Sequence, residues 1–512
     1  LVRKGWLKEV NSVKAAKRFV RASVVVSKLI VITKERNVVE QGKVKNNIKK
    51  RLIPNLKKSG ITAVATKTEK PQLPRILDVI FSNLELMRTI RRDPHRHLRH
   101  IILGYVHAFF NFPGLPEERR FFMTRLRRHI YIWLRIAQGS RGAPTVCGRA
   151  LAQAMRMACA TVAEDQSDAA TYVDDPLITV CGTAGENEIN IGKVVGMLLA
   201  MGYALAFNKA QDSDESKSLT WTSAVLDILH DELAIRVSIK KEILDDLSLV
   251  IAEALTKNLM EIKTLQSLAG KASCVASLVH VWRPFVGMLW GPIFKDRAHC
   301  THAPGMLWVS AVRVPLEWMR AFLEGTAGTL ERTYHLSSYL GEGDRISITV
   351  DASPTGLGAY LVVNDVIVEF AFGFVTPGDE QILHVKDSGS SEGQQAWEAL
   401  VALASLRLWK PWWRDRRIVL EVRGDNVAAL ITIVKLKAGG PGTSIIAREM
   451  ALDIGECLYE PRVASHVPGV ANCIADHLSR LAEHPDAPLP AALISAKRRH
   501  FPRRGPDWWR TV

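Results

Sequence analysis

Tyr172-Val173-Asp174-Asp175 sets two adjacent carboxylates after an aromatic and a β-branched residue, with apolar residues resuming at Leu177 and Ile178. Few local structures accommodate that order. It suits a tight hairpin of two short strands with the acids at the turn, where both can reach a cation. Mg²⁺ takes hard oxygen ligands, and phosphoryl transfer by the two-metal route needs carboxylates placed in this way. The competing reading is an Asp-Asp turn with no ligand, because Asp favours turns for purely local reasons.

At 512 residues and 47% hydrophobic, the chain has material for two to four domains. It begins at Leu1, which suggests a piece of a longer product. No apolar run reaches the roughly 18 residues of a membrane span and no signal-peptide pattern opens the chain, so a cytoplasmic or nuclear protein is expected. Cys147, Cys159, Cys181, Cys274, Cys300, Cys457 and Cys473 are scattered without a C-x-x-C pair. They read as reduced thiols, neither a disulfide frame nor a zinc site.

Charge is unevenly placed. Residues 1–60 hold 17 Lys/Arg against 3 Glu, which is +14 of the net +16. Further basic clusters run from Arg88 to Arg99, through Arg119-Arg120 and Arg125 to Arg128, and over Lys497 to Arg499. Such clusters attract a polyanion, most often nucleic acid. A solubilising arm or a nuclear-import signal is the alternative for residues 1–60.

Residues 1–70 are basic and weakly punctuated, and are expected to form a partly flexible arm. From Leu73 to Ile228 short apolar runs alternate with turns and helical stretches, the pattern of an α+β domain. Ile243, Leu247, Ile251, Leu255 and Leu259 recur at every fourth position, predicting helix over 240–290. Residues 291–344 are rich in Trp, Pro and Gly and read as a connection. A second α/β unit follows, with strands at Ile346–Val350, Ala359–Val363, Val366–Phe374, Ile418–Val422 and Val463–Val467, and helices around Glu398 and over Asn472–Leu481.

Asp351, Glu398, Asp425 and Asp476 sit at strand ends or on helices of that unit. Four acids converging on one cleft would repel unless cations neutralised them. Their contexts are specific. Val350-Asp351-Ala-Ser-Pro-Thr-Gly356-Leu-Gly358-Ala359, Gln395-Ala-Trp-Glu398-Ala-Leu-Val-Ala402, Gly424-Asp425-Asn426, His466-Val-Pro-Gly469, Asn472 and Ala475-Asp476-His-Leu-Ser-Arg480 together resemble the ribonuclease H domain of retroelements, over about residues 345–482. The resemblance implies a mixed five-stranded sheet and two Mg²⁺ (or Mn²⁺) ions held by the four acids. His466 matches that family's mobile histidine, with a structural histidine as the alternative.

Such domains normally follow a reverse transcriptase. Gln138-Gly139-Ser140-Arg141-Gly142-Ala143-Pro144 resembles the Q-G-x-x-G-[SA]-P motif of those polymerases, and Asp174 and Asp175 follow at a compatible distance. The resemblance places Gln138 and Gly139 at the incoming nucleotide. It puts Lys209, in the stretch from Met201-Gly202-Tyr203, near the triphosphate, and makes Trp221 the start of a primer-holding hairpin. Leu265-Gln266-Ser-Leu-Ala-Gly270-Lys271 is similar to the thumb helix that tracks the primer–template minor groove, although Cys274 stands where an aromatic is frequent. A helix whose Leu265, Leu268 and Ala269 are simply core is the alternative.

One departure concerns the chemistry directly. Leu103-Gly104-Tyr105-Val106-His107-Ala108-Phe109-Phe110, with Pro116-Glu117-Glu118-Arg119-Arg120-Phe121, resembles the L-D-x-x-D-A-[FY]…P-E-E-R-[RK]-F stretch. In that register Gly104 stands at the first catalytic Asp, His107 replaces the next, and Phe109 is the gate against a ribose 2′-hydroxyl. Asp78 and Asp93 do not fit the register.

The whole is thus similar to a retrotransposon polyprotein fragment of LTR or tyrosine-recombinase type. Its expected parts are a basic arm (1–70), α+β fingers and palm (71–235), a helical thumb and connection (236–344), the α/β ribonuclease H domain (345–482) and a basic tail (483–512). The implied partners are an RNA template, a DNA primer, RNA–DNA hybrid and deoxynucleoside triphosphates, with no membrane. A copy with an inactive polymerase that keeps only the nuclease, or only binding, is the alternative.

Overall fold

The structure is a computed structural model and describes all residues except 41–42, 67–68, 70–71, 217, 295–303, 415–417, 457–462, 482 and 512. The chain divides into two compact units, Leu1–Thr222 and Ser223–Val512.

The first unit carries strands β1 (Leu7–Val10), β2 (Val26–Glu40), β3 (Lys43–Pro54), β4 (His97–Ile102), β5 (Met123–Leu126), β6 (His129–Trp133), β7 (Ser167–Tyr172), β8 (Asp175–Gly182), β9 (Gln211–Asp212) and β10 (Ser218–Trp221). Its helices are α1 (Val13–Val20), α2 (Ile61–Val64), α3 (Ile76–Arg92), α4 (Ala143–Cys159) and α5 (Ala184–Ala200). One sheet has the order β1-β6-β5-β2-β3 and the other β7-β8-β4-β9.

Residues 1–70 therefore differ from the expected arm. β1 pairs with β6 and β2 with β5, so this segment supplies three strands of a sheet whose centre comes from residues 123–133. Ser12 caps α1 by accepting from the Ala15 N–H at 3.1 Å, and Ala16 packs with Met123, Ile130 and Ile132 in a small core.

In the second sheet, Ile101, Ile178 and Val180 bury against Leu151, Met155 and Ala158 of α4 and Val194 and Leu198 of α5. That apolar layer fixes β8, and with it the start of β8 at Asp175. Among the described residues no helix is long and apolar enough to cross a membrane. Cys147, Cys159, Cys181, Cys274 and Cys473 are free thiols, while Cys300 and Cys457 lie outside the described residues.

The second unit opens with β11 (Ala224–Leu229) and β12 (Ala234–Ile239), followed by α6 (Lys241–Leu255), β13 (Leu259–Glu261), α7 (Ile262–Leu278), α8 (Arg283–Phe294), β14 (Met306–Trp308), α9 (Arg313–Leu323), β15 (Glu331–His335) and α10 (Leu336–Tyr339). Leu247, Ile251, Leu265, Leu268, Phe285, Leu316 and Phe322 are buried among these helices.

Next come β16 (Asp344–Ala352), β17 (Gly356–Val363), β18 (Val366–Phe374), α11 (Pro377–Ile382), α12 (Ser391–Leu408), β19 (Ile418–Gly424), α13 (Val427–Lys435), α14 (Pro441–Gly455), β20 (Val463–His466), α15 (Cys473–Arg480) and β21 (Lys497–Arg499). The sheet order is β20-β19-β16-β17-β18-β21. β16, β17 and β18 are antiparallel neighbours, while β19 runs parallel to β16, and β20 to β19.

Six strands replace the expected five. The sixth comes from the expected basic tail, since β21 pairs in parallel with Glu369–Ala371 of β18. The rest of that tail is anchored as well. Arg510 pairs with Glu449 and Asp453, and the Arg407 guanidinium lies 4.4 Å from the Trp508 ring centroid.

Candidate metal centre and acidic hairpin

Asp351 is the penultimate residue of the inner strand β16, Asp425 follows Gly424 at the end of β19, and Glu398 lies on α12. β16 and β19 are adjacent and parallel, so both strands deliver their terminal acids to one edge of the sheet. Carboxylate oxygens of Asp351, Glu398 and Asp425 all lie within 4.8 Å of one another. Asp351 and Glu398 are only 5% and 3% exposed.

The surroundings orient these acids without neutralising them. Ser479 Oγ donates to Asp351 Oδ2 at 2.7 Å, and Asn472 Nδ2 donates to Oδ1 at 3.2 Å. Glu398 Oε1 accepts from the Ala352 N–H at 3.3 Å and from Gln394 Nε2 at 3.0 Å. Burial, with the nearby Asp351 and Asp425 charges adding to it, pushes the Glu398 carboxyl up to about 9. Burial likewise pushes Asp351 up to about 7; the Ser479 hydrogen bond opposes this, and Asp425 and Asp476 reinforce it.

Among the described residues, Asn472 Oδ1 is a buried acceptor without a partner. Three converging carboxylates beside an unused acceptor form a hard-oxygen donor set, which fits a divalent cation such as Mg²⁺ or Mn²⁺.

Asp476 stands outside the close group. Its Oδ1 pairs with Arg480 Nη2 at 2.7 Å, one helical turn on, yet its charge is felt at Asp351. His466 is exposed at the end of β20 directly opposite Gly424, the residue before Asp425. Below it the chain runs close to the acid: a Cβ added at Gly469 would lie 3.4 Å from Asp425 Oδ2. Sequence reasoning gave no role to Gln394 or to the Ser479 hydroxyl. The first was findable, because residues i and i+4 share a helix face.

The acidic pair of the first unit forms the expected hairpin. Tyr172 pairs with Asp175 across a two-residue turn, and Val173 takes φ 59. A β-branched residue in the left-handed region is strained, and such strain persists only where surrounding structure enforces it. Here Trp221 Nε1 donates to the Asp175 carbonyl at 3.0 Å, and the Trp221 ring meets Tyr172 edge-on at 6.3 Å. From below, α4 brings Gly148 so close that a Cβ there would lie 3.6 Å from Val173 Cα. Burial raises the Asp175 carboxyl, Asp174 adds to the shift, and the exposed Lys209 opposes it, so Lys209 and the pair share one electrostatic neighbourhood.

Gly104 lies alongside this turn: the Tyr105 N–H donates to the Asp174 carbonyl at 3.4 Å, and the Leu103 N–H to the Pro176 carbonyl at 3.3 Å. Phe109 is part-buried against the α4–α5 core. Gln138 is half-buried before Gly139, whose φ of +95 favours glycine. A Cβ at Gly139 would also sit 2.7 Å from Ile53 Cγ2 of β3.

In the second unit α7 buries Leu265, Leu268 and Ala269, as the core reading requires. Its opposite side leaves Gln266 and Gly270 exposed, and Lys271 pairs with Asp246 of α6.

No protein-family model matches the chain, and no curated protein matches it. Among solved structures, the chain is similar to a foamy viral protease-reverse transcriptase in complex with double-stranded DNA, with 13% identity, a TM-score of 0.45, and coverage of 91% of this chain and 68% of that one. It is similar also to the foamy viral enzyme with an RNA/DNA hybrid, with 12% identity, a TM-score of 0.42, and coverage of 92% of this chain and 53% of that one.

Proposed function

We propose that the chain is a retroelement reverse transcriptase–ribonuclease H whose second unit cuts the RNA strand of RNA–DNA hybrids. The observation carrying this reading is the convergence of Asp351, Glu398 and Asp425 oxygens within 4.8 Å at the end of two parallel strands. Such acids are held ready to bind cations and gain little from burial alone. Asp351, Glu398 and Asp425, with Asp476 as a fourth acid, would hold divalent cations, which would acidify a water and stabilise charge on the leaving oxygen.

The chain's own residues do the remaining work. Ser479 and Asn472 fix the Asp351 carboxylate, and Gln394 together with the Ala352 N–H fixes Glu398. The exposed His466, paired with Gly424 at the end of β20, would exchange a proton with a departing phosphate end. Recognition would rest on duplex shape and 2′-hydroxyls more than on sequence.

In the first unit the Asp174–Asp175 hairpin would be the polymerase palm. Phe109, Gln138, Gly139 and Lys209 would surround the deoxynucleoside triphosphate, and the exposed side of α7 with Gln266, Gly270 and Lys271 would follow the primer–template. With Gly104 in place of a third carboxylate, that site loses a shared ligand, and we infer weak or absent polymerisation. The proposed division is fingers and palm to residue 235, thumb and connection to 344, and the nuclease from 345 on.

The test is release of labelled RNA from an RNA–DNA hybrid in Mg²⁺. Cleavage that disappears in Asp351→Asn supports the nuclease. Tight hybrid binding without any cleavage by the unaltered protein overturns it in favour of a binding protein.

A further inference from the structure

β21 ends at Arg499, opposite Ala371, whereas β18 continues to Phe374. Beyond the last pair the tail leaves the sheet and returns through Arg504, whose Nη2 donates to the Phe374 carbonyl at 2.7 Å. Between the strand end and the returning tail lies a cavity of about 340 Å³, lined by Phe372, Phe374, Arg498, His500, Phe501 and Arg503 among others.

Its chemistry is basic and aromatic. The Arg498 guanidinium lies 4.0 Å from the Phe372 ring centroid, and Phe374 is 63% exposed. Other arginines of this tail are spent on acids: Arg499 on Glu369, Arg504 on Asp379 and Arg510 on Glu449 and Asp453. Arg498 and Arg503 have no acidic partner among the described residues, and both are exposed.

The cavity also shares a sheet face with the acid cluster. Asp351 pairs with Gly358, and Gly358 with Phe372, so the three form one row across β16, β17 and β18. Asp351 and Gly358 both meet Ser479 of α15, which fixes their common side. At roughly 4.8 Å per strand, Phe372 stands about 10 Å from Asp351 along that row.

We propose that this groove is a second nucleic-acid site, distinct from the acid cluster, which holds a single-stranded segment. A base would stack on Phe374, and the flanking phosphates would meet Arg498 and Arg503. Exposed rings favour single strands because only unpaired bases offer a free π-face, and unpaired cations supply the salt-dependent part of the affinity. Helix α15 covers the row between the acids and the groove, so the two sites are separate, and binding in the groove does not depend on the nuclease reading.

The test is fluorescence anisotropy of labelled dT₂₀ with the full chain in EDTA, where no hydrolysis occurs. Three proteins are compared with the unaltered chain: Phe374→Ala, Arg498→Ala/Arg503→Ala, and Asp351→Asn. Phe374→Ala is expected to weaken binding about tenfold with an unchanged salt slope, the loss of one stacked base. The double arginine variant is expected to flatten the slope of log K against log salt by about 1.4, for two phosphate contacts on a single strand. Asp351→Asn should bind as the unaltered protein does, and hybrid cleavage lost in that variant alone separates the two sites. Unchanged affinity and slope in both groove variants, with circular dichroism showing them folded, overturns the proposal. So does a loss seen equally with blunt duplex, which marks a general phosphate patch.

Discussion

Arg504 donates from Nε and Nη2 to Asp379 Oδ1 and Oδ2, at 2.9 and 2.8 Å, across 125 residues of sequence. The Asp379 side chain is fully buried and that of Arg504 is 5% exposed. Asp379 also accepts from the Thr376 backbone N–H and side chain at the start of α11. One carboxylate thus caps a helix and fixes the end of the chain.

Arg504→Ala should destabilise the second unit strongly. Removing one partner of a buried pair leaves an uncompensated charge, at about 3–5 kcal/mol. Thermal melts would read this as a drop of several degrees or more, and Arg504→Lys should recover only part of it because the bidentate fork is lost. A melt unchanged in Arg504→Ala would mean that the tail is not integral to the sheet.

Gly104→Asp should raise primer extension on a poly-rA/oligo-dT template in Mg²⁺. A Cβ at position 104 meets nothing nearer than Ala206 Cβ at 3.9 Å, so the fold admits the side chain. The Tyr105 N–H contact with the Asp174 carbonyl sets the new carboxylate beside the pair. The expected gain is about a hundredfold, the scale of one charged or polar group aimed at a reacting centre. No gain in a well-folded variant would show that the register of residues 103–110 is wrong. Robust extension by the unaltered chain would show instead that a third acid is dispensable.

The strands of the second unit were readable because Ile346–Val350 and Ile418–Val422 are apolar and β-branched, and their acids fall at the strand ends. β21 was not readable. Lys497-Arg498-Arg499 has no apolar alternation, and it becomes a strand through distant acids, Glu369 for Arg499 and Asp379 for Arg504. The sheet at the start of the chain was hidden for a similar reason. β1 is four residues long, and its partner Ile130–Trp133 lies well over a hundred residues away. Local propensity carries no record of such pairing. In the site, the i,i+4 spacing of Asp476 and Arg480 was visible in sequence, but the resulting ion pair, which draws Asp476 towards Arg480, became evident only in three dimensions.

Gly270→Ala should separate packing from binding on α7. Gly270 is exposed inside the helix, and a Cβ there would meet nothing within 4 Å. Alanine should therefore stabilise the helix by about 1 kcal/mol. If the glycine serves close approach to a duplex backbone, primer–template affinity should fall several-fold while the melting temperature rises. A rise in stability with unaltered affinity would leave α7 a core helix without a nucleic-acid role.

The raised carboxyls of Asp351 and Glu398 predict how cation and proton compete. Each holds its proton to higher pH in the folded state than when unfolded, Asp351 to about 7 and Glu398 to about 9. At these two groups the folded, metal-free protein therefore holds protons that the unfolded chain has released, and their contribution to stability falls as pH rises through that range. In EDTA the second unit should melt lower at pH 8.5 than at pH 6. Mg²⁺ replaces the protons, so it should raise the melting temperature more at pH 8.5 than at pH 6. Asp351→Asn should flatten the EDTA profile by removing one of the two titrating groups, and should weaken the Mg²⁺ effect. Equal Mg²⁺ stabilisation at both pH values would place the cation somewhere other than among these acids.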